Sequence, residues 1–184
     1  MKRAMDIILS LFALALLSPV LVVTACAIVL GSGFPVFFKQ QRVGLNGREF
    51  GMFKFRSMVK NASSIGPYFT EADDQRITPV GWFIRRTSID ELPQIINVLL
   101  GHMSLVGPRP DVAEQRALYS AADWASRCSV RPGITGLAQV KGRSEISWES
   151  RLALDLAYAK KASWWLDIQI MWWTLQQLGG KQAN

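Results

Sequence analysis

Residues 7–30 read IILSLFALALLSPVLVVTACAIVL, from Ile7 to Leu30 without a charge, and the uncharged stretch runs on to Lys39. As a helix these 24 mostly apolar residues are roughly 36 Å long, enough to cross a bilayer core of about 30 Å. Ser18-Pro19 sits near the middle, where proline deletes a backbone hydrogen bond and bends the helix. Both flanks are basic. Lys2 and Arg3 precede the segment, and between Lys39 and Lys60 come six cations (Lys39, Arg42, Arg48, Lys54, Arg56, Lys60) against the single acid Glu49. The positive-inside rule then keeps both ends cytoplasmic. The residues alone leave a spanning helix and a re-entrant one open. A cleaved signal peptide fits worse, because the apolar run is too long and no small-x-small site closes it before Gly31-Ser32-Gly33.

The whole chain, 184 residues, has room for one compact domain plus an appendage and is too short for a polytopic transporter. Hydrophobic residues make up 49%, yet the net charge is +7, with pI about 9.8 and mean hydropathy +0.15. That pairing suits an anionic membrane surface or anionic substrates. Nucleic-acid binding is not expected, since no zinc-finger spacing, RNP-like strand or isolated basic helix is present. Cys26 and Cys128 lack redox or zinc spacing, and the single histidine, His102, excludes a His-rich zinc centre.

Beyond the apolar segment, Pro35–Val43 and Glu49–Met58 read as two β-rich runs around Asn46-Gly47, a hairpin signal. The period of two puts Lys54 and Arg56 on one face and Phe53 and Phe55 on the other. A solvated basic face explains this as readily as a phosphate site does. Residues 61–76 read as a locally acidic loop with no assigned chemistry. From Asp90 a helical pattern carries Leu92, Ile95, Ile96, Leu99 and Leu100 on one face and ends at Gly101. Asp90 is expected to be its N-cap, held ionised by the helix dipole, with Pro93 in the first turn. Arg109, between Pro108 and Pro110, has little backbone freedom to lose on meeting an anion. Residues 131–143 mix glycines with cations, as phosphate loops and ordinary turns both do, but match neither the P-loop nor the dinucleotide fingerprint. Ser163–Leu178 carries Trp164, Trp165, Trp172 and Trp173, which suits either an interfacial helix or the domain core.

Taken in order, Lys54-Phe55-Arg56-Ser57-Met58, Ser88-Ile89-Asp90-Glu91-Leu92-Pro93-Gln94, Met103–Pro110, Pro132–Val140 and Gly142-Arg143 resemble the bacterial sugar transferase family of monotopic phosphoglycosyl transferases. The likeness runs from about Lys2 to Thr174, and the block from Asp90 to Pro110 is hard to obtain by chance. His102 departs from it, standing where the family commonly shows an acid before Met-Ser. The chain resembles the small form of the family, without the extra transmembrane helices of longer relatives.

The resemblance implies an α+β, mostly helical fold. An N-terminal re-entrant membrane helix broken at Ser18-Pro19 (residues 1–34) precedes a cytoplasmic, membrane-associated catalytic domain (residues 35–184), with a small β-hairpin and amphipathic interfacial helices. It implies transfer of a sugar-1-phosphate from a UDP-sugar to polyprenyl (undecaprenyl) phosphate, with UMP released. Asp90 would be the nucleophile and a ligand of Mg2+, and Glu91 its partner acid, deprotonating or orienting the acceptor. Arg85 and Arg109 are the first phosphate ligands it suggests, followed by Lys54, Arg56, Gln139 and Arg143, with Asp155 orienting one of the arginines. The implied place is the cytoplasmic face of the bacterial inner membrane, among membrane lipids, at the first membrane step of glycoconjugate synthesis and ahead of downstream glycosyltransferases. An inactive scaffold or nucleotide-sugar-binding regulator of the same fold is the alternative, and intact Asp90, Glu91 and Arg109 argue against it.

Overall fold

The computed structural model describes residues 1–66, 74–142 and 146–178. The apolar segment forms one helix, α1 (Lys2–Ser32), with Pro19 inside it and Ser18 Oγ donating to Ala15 O at 2.8 Å. It is long and apolar enough to cross a membrane, and it is mostly exposed. Ile8, Leu11, Phe12, Leu16, Val22 and Val23 all face outward.

Both ends of α1 nevertheless dock on the rest of the chain. At the start, Arg3 donates to the carbonyls of Val98 and Leu99, and the buried Asp6 accepts from Ser104 Oγ and Leu105 N. Lys2 pairs with the buried Asp167, which also accepts from Tyr158 OH at 2.7 Å. At the other end, Ile28 shares a core with Phe55 and Ile84.

The expected hairpin is present. Strands β1 (Phe37–Val43) and β2 (Glu49–Phe55) pair antiparallel from Phe37↔Phe55 to Val43↔Glu49. Asn46 (φ 55°) and Gly47 (φ 74°) make the left-handed turn that their residue types tolerate. Phe50 and Met52 bury with Val98 and Met103. The rest is helical, with short extended pieces: α2 (Ala62–Ile65), α3 (Pro79–Arg86), α4 (Gln94–Leu99), β3 (Ser104–Val106), α5 (Ala121–Arg127), β4 (Gly133–Thr135), α6 (Leu137–Gly142), α7 (Trp148–Lys161) and α8 (Trp164–Leu178).

One local expectation changes, and two readings left open gain detail. Asp90 does not cap α4; it lies in a 3-10 turn, Ile89–Glu91, that follows the left-handed Ser88 (φ 56°), and α4 begins only at Gln94. The tight turn leaves Asp90 side-on to the hairpin instead of at a helix mouth. The glycines of residues 131–136 serve close backbone approach: β3 and β4 pair parallel, and a Cβ on Gly133 would stand 2.0 Å from Gly107 N. Helix α8 divides its residues between two surroundings, with Asp167 and Ile170 fully buried while Trp164, Trp165, Trp172 and Leu175 are exposed.

Candidate functional site

Facing residues of the hairpin share a side, so the register places Phe38, Gln40 and Arg42 on the Lys54 face. This face, with Lys39, Gln41, residues 55–60, Ala62, Arg76, Arg85 and Asp90, lines a cavity of about 500 Å³. Its described lining holds seven cationic side chains (Lys39, Arg42, Lys54, Arg56, Lys60, Arg76, Arg85) and one acid, Asp90. That imbalance suits a polyanionic ligand. Arg76 is bound locally, its Nη2 lying 2.6 Å from Asp74 Oδ2.

The two neighbouring acids are treated oppositely. Asp90 is 8% exposed, and among the described residues no other side chain donates a hydrogen bond to it. Burial pushes its pKa above the ordinary carboxylate range, against the pull of Lys54 and with the push of Glu91. The helix dipole expected to hold it ionised is missing, because no helix begins at Asp90. Burial also works against ionised Glu91, but Arg109 and then Lys54 outweigh it and hold its pKa at about 2. The contacts are Lys54 Nζ to Oε1 at 2.8 Å, Arg109 Nη2 to Oε1 at 2.6 Å and Arg109 Nη1 to Oε2 at 3.2 Å. Glu91 is a fixed anion that aims two cations.

Arg109 is held in turn through its own backbone. Arg127 Nη2 donates to Arg109 O at 2.5 Å, and Arg42 Nη1 donates to Pro110 O at 3.0 Å. The buried Arg127 also pairs with Asp111 (2.7 Å) and Asp155 (3.0 Å), while Tyr119 OH donates to Asp111 at 2.6 Å. Among the described residues Asp155 thus pairs with Arg127, a residue outside the sequence-derived set, and not with one of the arginines it was expected to orient.

The fold brings Lys54, Arg56, Arg85 and Asp90 to one cavity and links Glu91, and through it Arg109, to Lys54. Gln139 is elsewhere, donating from Nε2 to Ile134 O at 3.1 Å within the β4–α6 turn. Arg143 lies outside the described residues. Sequence reasoning counted Arg42 and Lys39 only as flanking charge. Carrying the Asn46-Gly47 turn through to its register would have set Arg42 on the Lys54 face. No three His, Cys, Asp or Glu side chains cluster as a metal cage among the described residues.

Comparison with known proteins identifies the family. The family described as bacterial sugar transferase matches residues 1–181. The "Uncharacterized sugar transferase EpsL" of Bacillus subtilis (strain 168) is 43% identical, over 100% of this chain and 92% of that relative. The undecaprenyl-phosphate glucose phosphotransferase of Komagataeibacter xylinus is 46% identical, over 96% of this chain and 35% of the relative. The UDP-glucose:undecaprenyl-phosphate glucose-1-phosphate transferase of Escherichia coli (strain K12) is 44% identical, over 95% and 39%. The chain thus spans nearly all of the Bacillus relative but well under half of the two longer ones. With a buried acid in a cation-lined cavity and a family match along almost its whole length, this protein is a transferase and belongs to the bacterial sugar transferase family.

Proposed function

We propose that this chain transfers a sugar-1-phosphate from a UDP-sugar to polyprenyl phosphate through a covalent phosphosugar on Asp90. A carboxylate oxygen of Asp90 attacks the β-phosphorus; the bond from that phosphorus to the bridging oxygen breaks, and UMP leaves with the electron pair. An oxygen of the acceptor phosphate then attacks the same phosphorus and returns Asp90 as a carboxylate. The observation that carries the reading is Asp90 itself, buried, without a side-chain hydrogen bond among the described residues, in a cavity lined otherwise by cations. The relatives' names support the transfer itself, the Escherichia coli protein being named a UDP-glucose:undecaprenyl-phosphate glucose-1-phosphate transferase and the Komagataeibacter protein an undecaprenyl-phosphate glucose phosphotransferase.

Lys54, Arg85 and Arg109 hold the diphosphate and spread its charge so that an anionic nucleophile can approach. Glu91, with its pKa near 2, is too weak a base to deprotonate an acceptor and instead orients Lys54 and Arg109. The residues fit Mg2+ in the way this ion binds to nucleotide sites, through one or two carboxylates plus substrate phosphates. Asp90 would hold it, and bound Mg2+ would neutralise charge on the diphosphate.

The helix α1 is proposed to be re-entrant, with residues 1–34 in one leaflet and residues 35–184 on the cytoplasmic face of the bacterial inner membrane. Both ends of α1 dock on the same body, Arg3 on the Val98 carbonyl and Ile28 beside Phe55. Pro19 supplies a bend point. The outward tryptophans of α8 suit the interfacial layer, and the product would pass to downstream glycosyltransferases of glycoconjugate synthesis.

The test is UMP release from a panel of UDP-sugars with polyprenyl phosphate and Mg2+, followed by donor-only labelling. Asp90→Asn is expected to abolish turnover and covalent label without lowering Tm, because it removes a charge that burial disfavours. Label persisting in Asp90→Asn would move the nucleophile to another residue.

A further inference from the structure

The hairpin face that carries Lys54 gives the cavity a direction. On one strand face, successive residues stand about 7 Å apart, and the row Arg42, Gln40, Phe38 runs antiparallel to Lys54 and Arg56. One end of this row is tied to the Arg109 loop by the Arg42 bond to Pro110 O. The other end is tied to α1. Arg56 Nη2 donates to Ser32 O at 2.8 Å, to Ser32 Oγ at 2.9 Å and to Gly33 O. Arg56 therefore stands where the apolar helix leaves the body of the protein, beside Phe34, Phe37 and Phe38, which are exposed by 68%, 48% and 44%.

Arg56 is itself 5% exposed, and among the described residues its Nε and Nη1 have no hydrogen-bond partner. Those two nitrogens carry three N–H donors. Leaving them unmet on a buried cation is expensive, and an anion meets them at once. A lipid phosphate is tethered to the bilayer and must enter from the side where α1 lies, whereas a soluble nucleotide has no such constraint. We propose that Arg56 is the seat of the acceptor's phosphomonoester headgroup, with its isoprenoid chain lying along Phe34, Phe37, Phe38 and the outer face of α1. The nucleotide diphosphate then lies further along the same face, from Lys54 toward Arg42. A phosphomonoester carries nearly two charges at neutral pH, and a guanidinium keeps donors for it on Nε and Nη1 while its Nη2 holds α1, which a single lysine nitrogen does not do.

This inference rests on the proposed lipid-acceptor reaction, and steady-state kinetics of the full chain in vesicles separate the two. Arg56→Lys is expected to raise KM for polyprenyl phosphate about tenfold or more while KM for the UDP-sugar changes less than about twofold. Ser32→Ala removes one tie between Arg56 and α1, keeps the guanidinium and is expected to leave both KM values in place. An unchanged acceptor KM in Arg56→Lys, or an equal rise in both KM values shared by Ser32→Ala, overturns the seat. Should Arg56→Lys fail to fold, competition in the wild type decides. Inorganic phosphate competing with the lipid acceptor and not with the UDP-sugar supports a seat that reads the headgroup. Competition by neutral polyprenol equal to that of polyprenyl phosphate overturns it. A wild type that releases no UMP from any UDP-sugar defeats the parent reaction instead.

Discussion

Replacing Glu91 with glutamine keeps the side-chain shape and one acceptor oxygen but removes the charge that Lys54 and Arg109 share. The wild-type carboxylate is held at about 2 against an ordinary 4.5, a difference worth about 3 kcal/mol of native stability at neutral pH. Glutamine recovers about 1 kcal/mol through a neutral hydrogen bond, leaving a net loss of about 2 kcal/mol and a Tm lower by roughly 4–8 °C for a chain of this size. The sign follows from a depressed folded-state pKa. The contribution is complete above pH 4.5 and drains away as pH falls from 4.5 toward 2, so the wild type loses Tm across that window faster than the variant. Circular dichroism melts in detergent between pH 7 and 3 measure both quantities. Equal Tm values at pH 7, or parallel curves below pH 4.5, would refute the pairing. A kinetic signature accompanies it: the Glu91 charge is one cause of the raised Asp90 pKa, so in Glu91→Gln the acid limb of the pH–rate profile moves to lower pH even as kcat drops. Movement to higher pH would contradict the proposed relation between the two acids.

Arg127→Met leaves Asp155 buried without the arginine it pairs with and Asp111 with, among the described residues, only the Arg151 cation at 3.4 Å, and is expected to destabilise the protein by about 3–5 kcal/mol, read as a Tm fall; a fall below about 2 °C would show that the Arg127 pairs are dispensable. In a Cys26→Ala, Cys128→Ala background, cysteines at Ala4 and Lys60, both exposed, are expected to resist an impermeant thiol reagent outside intact cells and to react in inverted membranes. Labelling of the position 4 cysteine from outside would make α1 a spanning helix.

Local chemistry made several parts of this protein legible in its sequence. A charge-free run flanked by cations reads as membrane-embedded because the signal is additive along the chain, and Asn46-Gly47 reads as a hairpin because its left-handed φ values belong to those residue types. Asp90, Glu91 and Arg109 stood out through motifs that are contiguous in sequence. What each of them does depends on neighbours far along the chain. Asp90 is expected from the sequence to be held ionised by a helix dipole; the Ser88 turn removes that dipole and burial pushes the pKa up instead, and desolvation is a property of the packed environment, not of a residue's sequence neighbours. Glu91 becomes a fixed anion only because Lys54, 37 residues away, and Arg109, 18 residues away, converge on it. Arg127 and the unpartnered nitrogens of Arg56 leave no periodic trace either, since a buried arginine in a sequence looks like a surface one. Coulomb energy and burial act through space, so tertiary packing alone decides which of the 21 cations serve the site.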